Sequence, residues 1–317
     1  MAQAILEVIE GGWLTTVQDL GRPGYARYGI PPSGAMDFFA LAVANRLVGN
    51  PPGAAGLEIT LTGPTLRATA PCLVAVTGAD LTLQVDGREM PMWMSVFVRR
   101  GSVISFGRRR WGCRAYLAIA GGIDVPPVLG SRSTYLPGRF GGLDGRALRP
   151  GDRLPIGPAP ANLVEQAGRA FPRHLIPPYS DRPVLRAIPG PQDDHFTPEG
   201  LKTFFGAEYR ILPTSDRMGY RLEGPTVVHG KGTEIISDGV PLGAVQVPPD
   251  GQPIVMMADH QTTGGYPKIA AVIRADIPLL AQGVPGESRV SFRPVSIPEA
   301  QGWYREMGKL LDWPDSQ

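Results

Sequence analysis

The chain has 317 residues, of which 43% are hydrophobic and 19% charged, and its formal net charge is +2. This composition is typical of a folded globular protein of about two domains and excludes disordered and fibrous classes, while the near-neutral charge gives no general attraction to nucleic acid or membranes. Because Glu7, Glu10 and Asp19 interrupt the N-terminal stretch and no run approaches about 18 apolar residues, we predict neither a signal peptide nor a membrane span, and we expect a cytoplasmic protein.

In the first half of the chain, the pattern of apolar residues predicts one helix followed by many short strands. The helix covers residues 34–48, begins after Ser33 and ends at Gly49. Short apolar runs punctuated by glycine and proline predict strands at residues 73–77, 81–85, 96–98, 103–106 and 116–120. The basic run at 108–110 lies between two of these, which favours a solvated hairpin end over a nucleic-acid patch. Short strands at close spacing indicate a mainly β fold with few helices, a barrel or a sandwich.

A proline-rich stretch at residues 155–183 is poor in strand pattern and typical of a semi-rigid connector. We therefore divide the chain into a first domain, a connector and a second domain that ends in a helix, at residues 1–160, 161–182 and 183–317. Two helices of the second half have local start signals. One begins at Thr197 and ends at Gly206, and the other follows a capping box formed by Ser296 and Glu299.

Four polar, glycine-rich stretches are candidates for chemistry. The first, QDLGRPGYARYGIPPSGAMD at residues 18–37, brings Arg22 and Ser33 to the start of the predicted helix. Backbone N–H groups at a helix start favour negative charge, so this stretch could hold a carboxylate or a phosphoryl group. The alternative is structural: Ser33 caps the helix and Asp37 complements its dipole.

The second stretch covers residues 129–152, where the sequence SRST at 131–134 precedes a glycine-rich segment that could close as a lid. Hydroxyl groups beside an arginine suit a planar polar ligand. The third stretch, TSDRMGYRLEGP at residues 214–225, carries Arg217, which could bind an anion. The alternative is structural: Asp216 orients Arg217.

The fourth stretch, ADHQTTGGYPKIAAVIRADI at residues 258–277, places polar residues and glycines between two apolar runs. Since β-branched residues resume after it, we predict a strand-to-strand loop, and we expect Asp276 to cap a short helix. Buried polar groups without partners would cost about 1–3 kcal/mol each, so they must reach water, one another or a ligand. This favours a ligand-binding loop over a plain hairpin.

Several common site templates are absent from the sequence. No GxxxxGK[ST], GxGxxG, HExxH or GxSxG pattern occurs, so no self-contained nucleotide loop, zincin helix or serine-hydrolase elbow is predicted. The four histidines are scattered and the two cysteines lie far apart, so we predict neither a metal site nor a disulfide. Positive charge is nearly all arginine, which binds anions but does not act as a base.

The chain resembles the KipA family, also called allophanate hydrolase subunit 2 or the biotin-dependent carboxyltransferase family. The resemblance is carried by QDLGRPGYARYGIPPSGAMD at residues 18–37, LEITLTGPTL at 57–66, VTGAD at 76–80, YLAIAGGIDVPPVLGSRST at 116–134, SDRMGYRLEGP at 215–225 and GAVQVPPDGQPIVMMADHQTTGGYPKIA at 243–270. The resemblance runs from about Glu10 to Val295. It implies two cyclophilin-like β-barrel domains with a site in a cleft that involves both. It also implies a smaller partner of the KipI type, also called the B subunit of 5-oxoprolinase, and, for the oxoprolinase reaction, a LamB/YcsF-like A subunit.

Three functions are compatible with the resemblance. The first is that of a subunit of an ATP-dependent 5-oxoprolinase, which opens the lactam 5-oxo-L-proline to L-glutamate with ATP bound in a partner protein or at an interface. The second is biotin-dependent carboxyl transfer to urea, but none of the four lysines has the pattern of a biotin carrier, so we expect no covalent biotin on this chain. The third is a KipA-like regulator that binds a KipI-like kinase inhibitor. We favour the first.

For the lactam reaction we assign roles from residue chemistry within these motifs. The candidate anion clamps are Arg22, Arg132 and Arg217. The candidate catalytic carboxylates, one of which manages a proton, are Asp37, Glu58 and Asp259. The residues expected to orient the lactam are Gln261, Thr262 and Thr263. The remaining candidate substrate-binding residues are Gln18, Ser33, Ser131, Ser133, Thr134, Gln246 and Tyr266.

Overall fold

The computed structural model describes residues 5–311, which divide into two compact units. The first unit comprises the chain up to Arg22 together with Ser33–Ile176, and the second comprises Pro23–Pro32 together with the chain from Pro177. The predicted domains at 1–160 and 183–317 begin or end outside the described residues, and their division by a connector at 161–182 stays a prediction. No helix within residues 5–311 is long and apolar enough to cross a membrane.

Short strands dominate the first unit, as the glycine and proline punctuation predicts. They are β1 (Ile5–Glu10), β2 (Leu14–Gln18), β3 (Gly56–Thr60), β4 (Thr65–Ala68), β5 (Cys72–Asp80), β6 (Leu83–Val85), β7 (Arg88–Glu89), β8 (Ser95–Val98), β9 (Val103–Phe106), β10 (Trp111–Ile119) and β11 (Arg153–Pro155). Hydrogen bonds join them into two antiparallel sheets, in the orders β11-β1-β4-β9-β6-β7 and β2-β3-β10-β5-β8. All five predicted strands lie within or overlap these elements, so the mainly β fold is confirmed.

The basic run at residues 108–110 joins β9 to β10. It is largely exposed, as predicted, and Arg110 forms a solvent-exposed ion pair with Glu89. The hairpin expected there is wrong, because β9 and β10 lie in different sheets. The run is therefore the turn of a crossover between sheets.

One apolar core lies between the two sheets. It contains residues from both, among them Leu6, Leu66 and Ile104 from the first sheet and Leu57, Val76 and Leu117 from the second. Side chains alternate between the two faces of a strand, so the residues next to these point away from the core. The opposite face of the second sheet carries a cross-strand row of buried polar residues: Thr16, Glu58, Tyr116 and Thr77.

Helix α1 (Phe38–Leu47) covers this polar face, since Thr77 Oγ1 donates a hydrogen bond to the Ala40 carbonyl at 2.7 Å. The helix begins at Asp37, whose side chain accepts from the backbone N–H of Ala40 at 2.8 Å. The expectation that Ser33 caps the helix is therefore wrong. Ser33 has a left-handed backbone (φ 54°) and lies in the turn that leads to the cap. Asp37 satisfies the first-turn N–H more directly, because it adjoins the first helical residue.

The second unit contains a closed barrel and a short ribbon. Its strands are β12 (Val184–Pro189), β13 (Glu208–Ile211), β14 (Gly219–Glu223), β15 (Asp238–Gly239), β16 (Ala244–Gln246), β17 (Ile254–Met256), β18 (Thr263–Gly264), β19 (Lys268–Val272) and β20 (Arg289–Pro294). Seven of them close the barrel in the order β12-β19-β16-β17-β14-β13-β20, with β12 and β20 parallel, while β15 pairs with β18. Large buried side chains such as Tyr209, Tyr220 and Phe292 belong to the core of this unit.

Three further helices of the described chain accompany the barrel: α2 (Pro198–Gly206), α3 (Ile277–Ala281) and α4 (Ile297–Leu311). The predicted starts of α2 and α4 are confirmed. Thr197 accepts from the N–H of Gly200, and Ser296 and Glu299 form the reciprocal bonds of a capping box. Asp276 occupies the N-cap position of α3 as expected, but its buried carboxylate makes no cap bond and pairs with Arg186.

Candidate functional site

In the first unit, Asp19 ties the loop at residues 131–134 to the end of β2. Its carboxylate accepts hydrogen bonds from the hydroxyls of Ser131 and Ser133 at 2.6 and 2.5 Å, and from the N–H of Arg132 at 2.6 Å. Both serines are buried. The two hydroxyls predicted to bind substrate thus direct their protons at Asp19, a residue that was not among the predicted site residues, and together they set the shape of this loop.

Gln18, Thr134 and Ser33 are also buried in the first unit. Gln18 Nε2 donates to the Thr134 carbonyl at 3.2 Å, and Thr134 Oγ1 donates to the Val17 carbonyl at 3.0 Å. Within residues 5–311, Gln18 Oε1 and the Ser33 hydroxyl have no hydrogen-bond partner. Unsatisfied buried polar atoms are uncommon in proteins, which makes these two atoms candidates for contact with water or a ligand.

Two of the predicted anion clamps lie in the first unit and already contact protein groups. Arg22 is buried, donates to the Ser133 carbonyl and lies 5.0 Å from the centre of the Phe140 ring. Arg132 is partly exposed and donates to Asp124 Oδ1 at 2.9 Å. Of the two, Arg132 is the more accessible to a ligand.

Tyr116 links the two residues predicted as catalytic carboxylates in the first unit, through the side chain of Glu58 and the backbone of Asp37. The Tyr116 hydroxyl donates to Glu58 Oε2 at 2.7 Å and accepts from the N–H of Asp37 at 2.7 Å. Glu58 also accepts from the N–H of Met36 at 2.8 Å, and its other oxygen lies 3.8 Å from Arg114 Nε. Burial raises the pKa of Tyr116 well above its ordinary value, and the nearby carboxylates raise it further, so the phenol stays protonated.

This network gives the start of α1 its own negative charges. Glu58 and the Asp37 side chain accept from backbone N–H groups there, while the Asp37 N–H is used by Tyr116. A helix N-terminus attracts anions because its first N–H groups lack partners within the helix. Here the protein's own carboxylates already accept from N–H groups at this position, which disfavours a phosphoryl group at the N-terminus of α1.

In the second unit, the third predicted clamp pairs with the third predicted carboxylate. Arg217 Nε and Nη2 lie 2.8 and 3.2 Å from the two oxygens of Asp259, and both side chains are almost fully buried. The alternative that Asp216 orients Arg217 is wrong, because Asp216 instead accepts from the N–H groups of Met218 and Gly219. Beside this pair, burial lowers the pKa of His260, which favours the neutral imidazole.

A cavity of about 750 Å³ lies in the second unit, on the outward face of β14, β17 and β16. Its volume is in the range of small-molecule sites. Three predicted substrate-binding residues line it, namely Gln246, Gln261 and Tyr266. Gln246 holds the other two, since its Oε1 accepts from Gln261 Nε2 at 3.1 Å and its Nε2 donates to the Tyr266 carbonyl at 3.3 Å.

The predicted loop at residues 258–268 is confirmed as a connection between β17 and β19, and part of it forms a ribbon. Thr263 and Gly264 pair with Gly239 and Asp238, which exposes Thr263 and leaves Thr262 partly buried. A Cβ atom on Gly264 would lie 2.6 Å from Gln246 Nε2, so glycine allows the ribbon to approach the cavity wall.

Lys268 fastens the ribbon to the barrel. Its buried ammonium group donates to Asp238 Oδ2 at 2.9 Å, although Asp238 itself is exposed. This hydrogen bond lowers the pKa of Asp238. The geometry of Gln261 and Tyr266 at the cavity therefore depends on Gln246 from one strand and on Lys268 from its neighbour.

The cavity lining is apolar in part and carries four charged side chains. The apolar residues include Met218, Ile254 and Met256, and the charged ones are Asp216, Arg221, Glu223 and Asp250. Three carboxylates against one guanidinium would repel a polyphosphate, so the lining does not fit ATP. An uncharged or singly charged small molecule is the better match. No group of three or more histidine, cysteine or acidic residues within residues 5–311 is placed to hold a metal ion.

The predicted residues fall into four groups, two in each unit. The first unit has the Asp19 cluster and the Tyr116 network, and the second has the Arg217–Asp259 pair and the cavity. Sequence reasoning missed Asp19, Tyr116, Lys268 and Arg221, all of which lie in or beside the quoted motifs. For Lys268 a signal existed, since it is one of only four lysines and sits at the end of a polar loop.

Comparison with known proteins identifies relatives of this chain. The family model for the carboxyltransferase domain, subdomain A and B, matches residues 28–294. The chain is 42% identical to the C subunit of 5-oxoprolinase from Escherichia coli, over 93% of each chain, and 38% identical to that of Haemophilus influenzae, over 97% of each. Among solved structures, K. lactis urea amidolyase matches 98% of this chain with a TM-score of 0.92 and 33% identity, and the chain spans 20% of that protein.

Proposed function

The chain belongs to the family of the carboxyltransferase domain, subdomain A and B, and from this premise we propose that it is a subunit of an ATP-dependent 5-oxoprolinase. The observation that carries the proposal is the share of each relative's length that the similarity covers. Similarity to the C subunit of 5-oxoprolinase extends over nearly the full length of both chains, whereas the match to urea amidolyase involves a fifth of a much larger protein.

The proposed reaction opens the lactam ring of 5-oxo-L-proline to give L-glutamate. An unactivated amide is a poor electrophile, so the reaction needs a site that orients the lactam and holds its carboxylate. We assign substrate binding to the cavity of the second unit, where Gln261 and Tyr266 are held by Gln246. The proposed roles of Glu58, Asp37 and Asp259 in proton transfer stay predictions.

ATP is assigned to a partner protein. The chain has no phosphate-binding loop, the start of α1 is used by Glu58 and Asp37, and the cavity carries three carboxylates. None of these features suits a triphosphate. We therefore propose that the enzyme is completed by the KipI-type B subunit together with the LamB/YcsF-like A subunit, which supply the nucleotide site.

The second candidate is biotin-dependent carboxyl transfer to urea. It is favoured by the close match of the fold to K. lactis urea amidolyase. A carboxyltransferase receives its carboxyl group from biotin on a carrier, and the lysines of this chain lack the carrier's sequence pattern. The carrier would then have to be another chain.

Deletion of the gene in its own host tests the proposed function. We expect cells without it to accumulate 5-oxoproline, because the ring forms spontaneously from glutamine and glutamate derivatives and would no longer be opened. Reintroducing the wild-type gene should return the metabolite, measured by mass spectrometry, to its original level. Unchanged 5-oxoproline together with lost growth on urea as nitrogen source would contradict the proposal and support carboxyl transfer.

A further inference from the structure

A single cross-strand row forms the floor of the cavity. Arg221 on β14 lies opposite Ile254 on β17, and Ile254 lies opposite Gln246 on β16. Side chains directly opposite one another on neighbouring strands point to the same face, so the row presents a cation, an apolar group and an amide in that order. The strands are spaced about 4.8 Å apart, which separates the two polar ends of the row by about 10 Å between Cα atoms.

The next row continues the apolar part of the floor. Gly219 lies opposite Met256, and both line the cavity. A Cβ atom on Gly219 would lie 3.1 Å from Ile254 Cγ2, so the glycine keeps space free above the floor. Met218 adds an apolar wall. A small aliphatic ring can therefore rest between the cationic end and the amide end.

Arg221 is the cationic group at the cavity that is open to an anionic ligand. Its side chain is exposed, and within residues 5–311 no carboxylate lies within ion-pair distance of it. The acidic residues of the lining have other contacts. Asp216 accepts from two backbone N–H groups, Asp250 accepts from the N–H of Gln252, and Glu223 lies 3.9 Å from Arg210.

The opposite end offers groups that match an amide. Gln261 Nε2 is used by Gln246, which leaves Gln261 Oε1 as an acceptor directed by that bond. Tyr266 lines the cavity as well, and its ring is partly exposed. A lactam presents one N–H donor and one C=O acceptor, so an amide oxygen and a phenolic hydroxyl complement it.

We propose that Arg221 binds the carboxylate of a small lactam acid, while Gln261 Oε1 accepts from its ring N–H and the Tyr266 hydroxyl donates to its carbonyl. This deepens the proposed function and rests on it for the identity of the substrate. Arg221 is the residue that selects a carboxylated lactam over an uncharged one. A planar guanidinium suits this role because it forms two parallel hydrogen bonds to a carboxylate.

The test compares two ligands, 5-oxo-L-proline and 2-pyrrolidinone, which is the same ring without the carboxylate. Equilibrium binding to the purified full-length chain is measured by ligand-observed NMR for the wild type, Arg221→Ala, Arg221→Lys and the control Arg293→Ala. Arg293 is an exposed arginine on β20 that does not line the cavity. In Arg221→Ala we expect affinity for 5-oxoproline to fall about 10- to 100-fold, with 2-pyrrolidinone unchanged. Arg221→Lys should recover part of the loss, and Arg293→Ala should behave as the wild type.

The outcomes separate this inference from the proposed function. If the assembled complex opens 5-oxoproline and Arg221→Ala leaves its KM unchanged, the carboxylate assignment is wrong and the proposed function stands. If the complex is inactive but the isolated chain shows the expected selectivity, the binding assignment stands without the reaction. Equal weakening of both ligands in Arg221→Ala, with an unchanged melting temperature, would also overturn it.

Discussion

Replacing Asp259 by alanine is expected to lower the free energy of unfolding by about 3–5 kcal/mol. Arg217 and Asp259 form a two-point ion pair in which both side chains are almost fully buried. Removing the carboxylate takes a two-point ionic contact away from a buried guanidinium in a medium of low dielectric constant, and the ion cannot deprotonate to escape the cost. Urea unfolding followed by circular dichroism measures the loss directly.

The matched control removes both charges at once. Arg217→Met combined with Asp259→Leu fills a similar volume with apolar groups, and such replacements of buried pairs are often nearly neutral. We expect the double variant to be at least about 2 kcal/mol more stable than Asp259→Ala. A double variant as unstable as the single one would mean that the loss comes from packing and not from the removal of the ionic contact.

A similarly large effect is expected at Glu58. Its carboxylate accepts from Met36 N–H and the Tyr116 hydroxyl and lies beside the buried Arg114, so Glu58→Ala removes the acceptor of two hydrogen bonds and a negative charge near a buried cation. We expect a loss of about 3–5 kcal/mol in the free energy of unfolding. The helix start at Asp37 should loosen first, which hydrogen exchange of residues 36–40 would detect.

Two milder variants separate the contributions of charge and hydrogen bonding at this site. Glu58→Gln keeps an acceptor and should cost clearly less than Glu58→Ala, while Tyr116→Phe removes the bonds to Glu58 and from the Asp37 N–H and should cost about 1–3 kcal/mol. If Glu58→Ala instead kept its stability and abolished turnover in the assembled enzyme, Glu58 would act in catalysis and the structural account would fail.

Local signals in the sequence were enough to predict the short strands and two helix starts. The capping box of Ser296 and Glu299 and the start at Thr197 depend on residues three positions apart, so each can be read without knowing the rest of the fold. The same reasoning failed where a neighbour distant in sequence competes. Asp276 is placed to cap α3, but Arg186 is ninety positions away and takes its carboxylate.

The candidate site was harder to predict, because its partners are far apart in sequence. Asp19 and Ser133 are separated by 114 positions, and Tyr116 and Glu58 by 58. Residue type alone suggested that the hydroxyls of Ser131 and Ser133 were free for a ligand. In the structure both donate hydrogen bonds to the buried carboxylate of Asp19. Arg217 and Arg221 look alike in the sequence, yet only the barrel register shows that Arg221 faces the cavity.

The resemblance to a family supplied what residue chemistry could not. Motifs such as QTTGGYPK indicated a ligand loop, and the structure confirms a loop between two strands that brings Gln261 and Tyr266 to a cavity. Neither composition nor spacing pointed to a lactam as substrate. That assignment comes from the relatives, and the charge of the cavity is compatible with it, since it disfavours polyphosphates and admits a single carboxylate at Arg221.

The measurement that tests the central claim most directly is a reconstituted assay with the purified chain and its two proposed partner proteins. Carbon-13-labelled 5-oxoproline is followed by NMR with the chain alone, with the two partners alone, and with all three, each with and without ATP. We predict labelled glutamate only from the complete set with ATP, and no effect of avidin, which would sequester biotin. Glutamate from the isolated chain, or no glutamate from the complete set with ATP, would contradict the account.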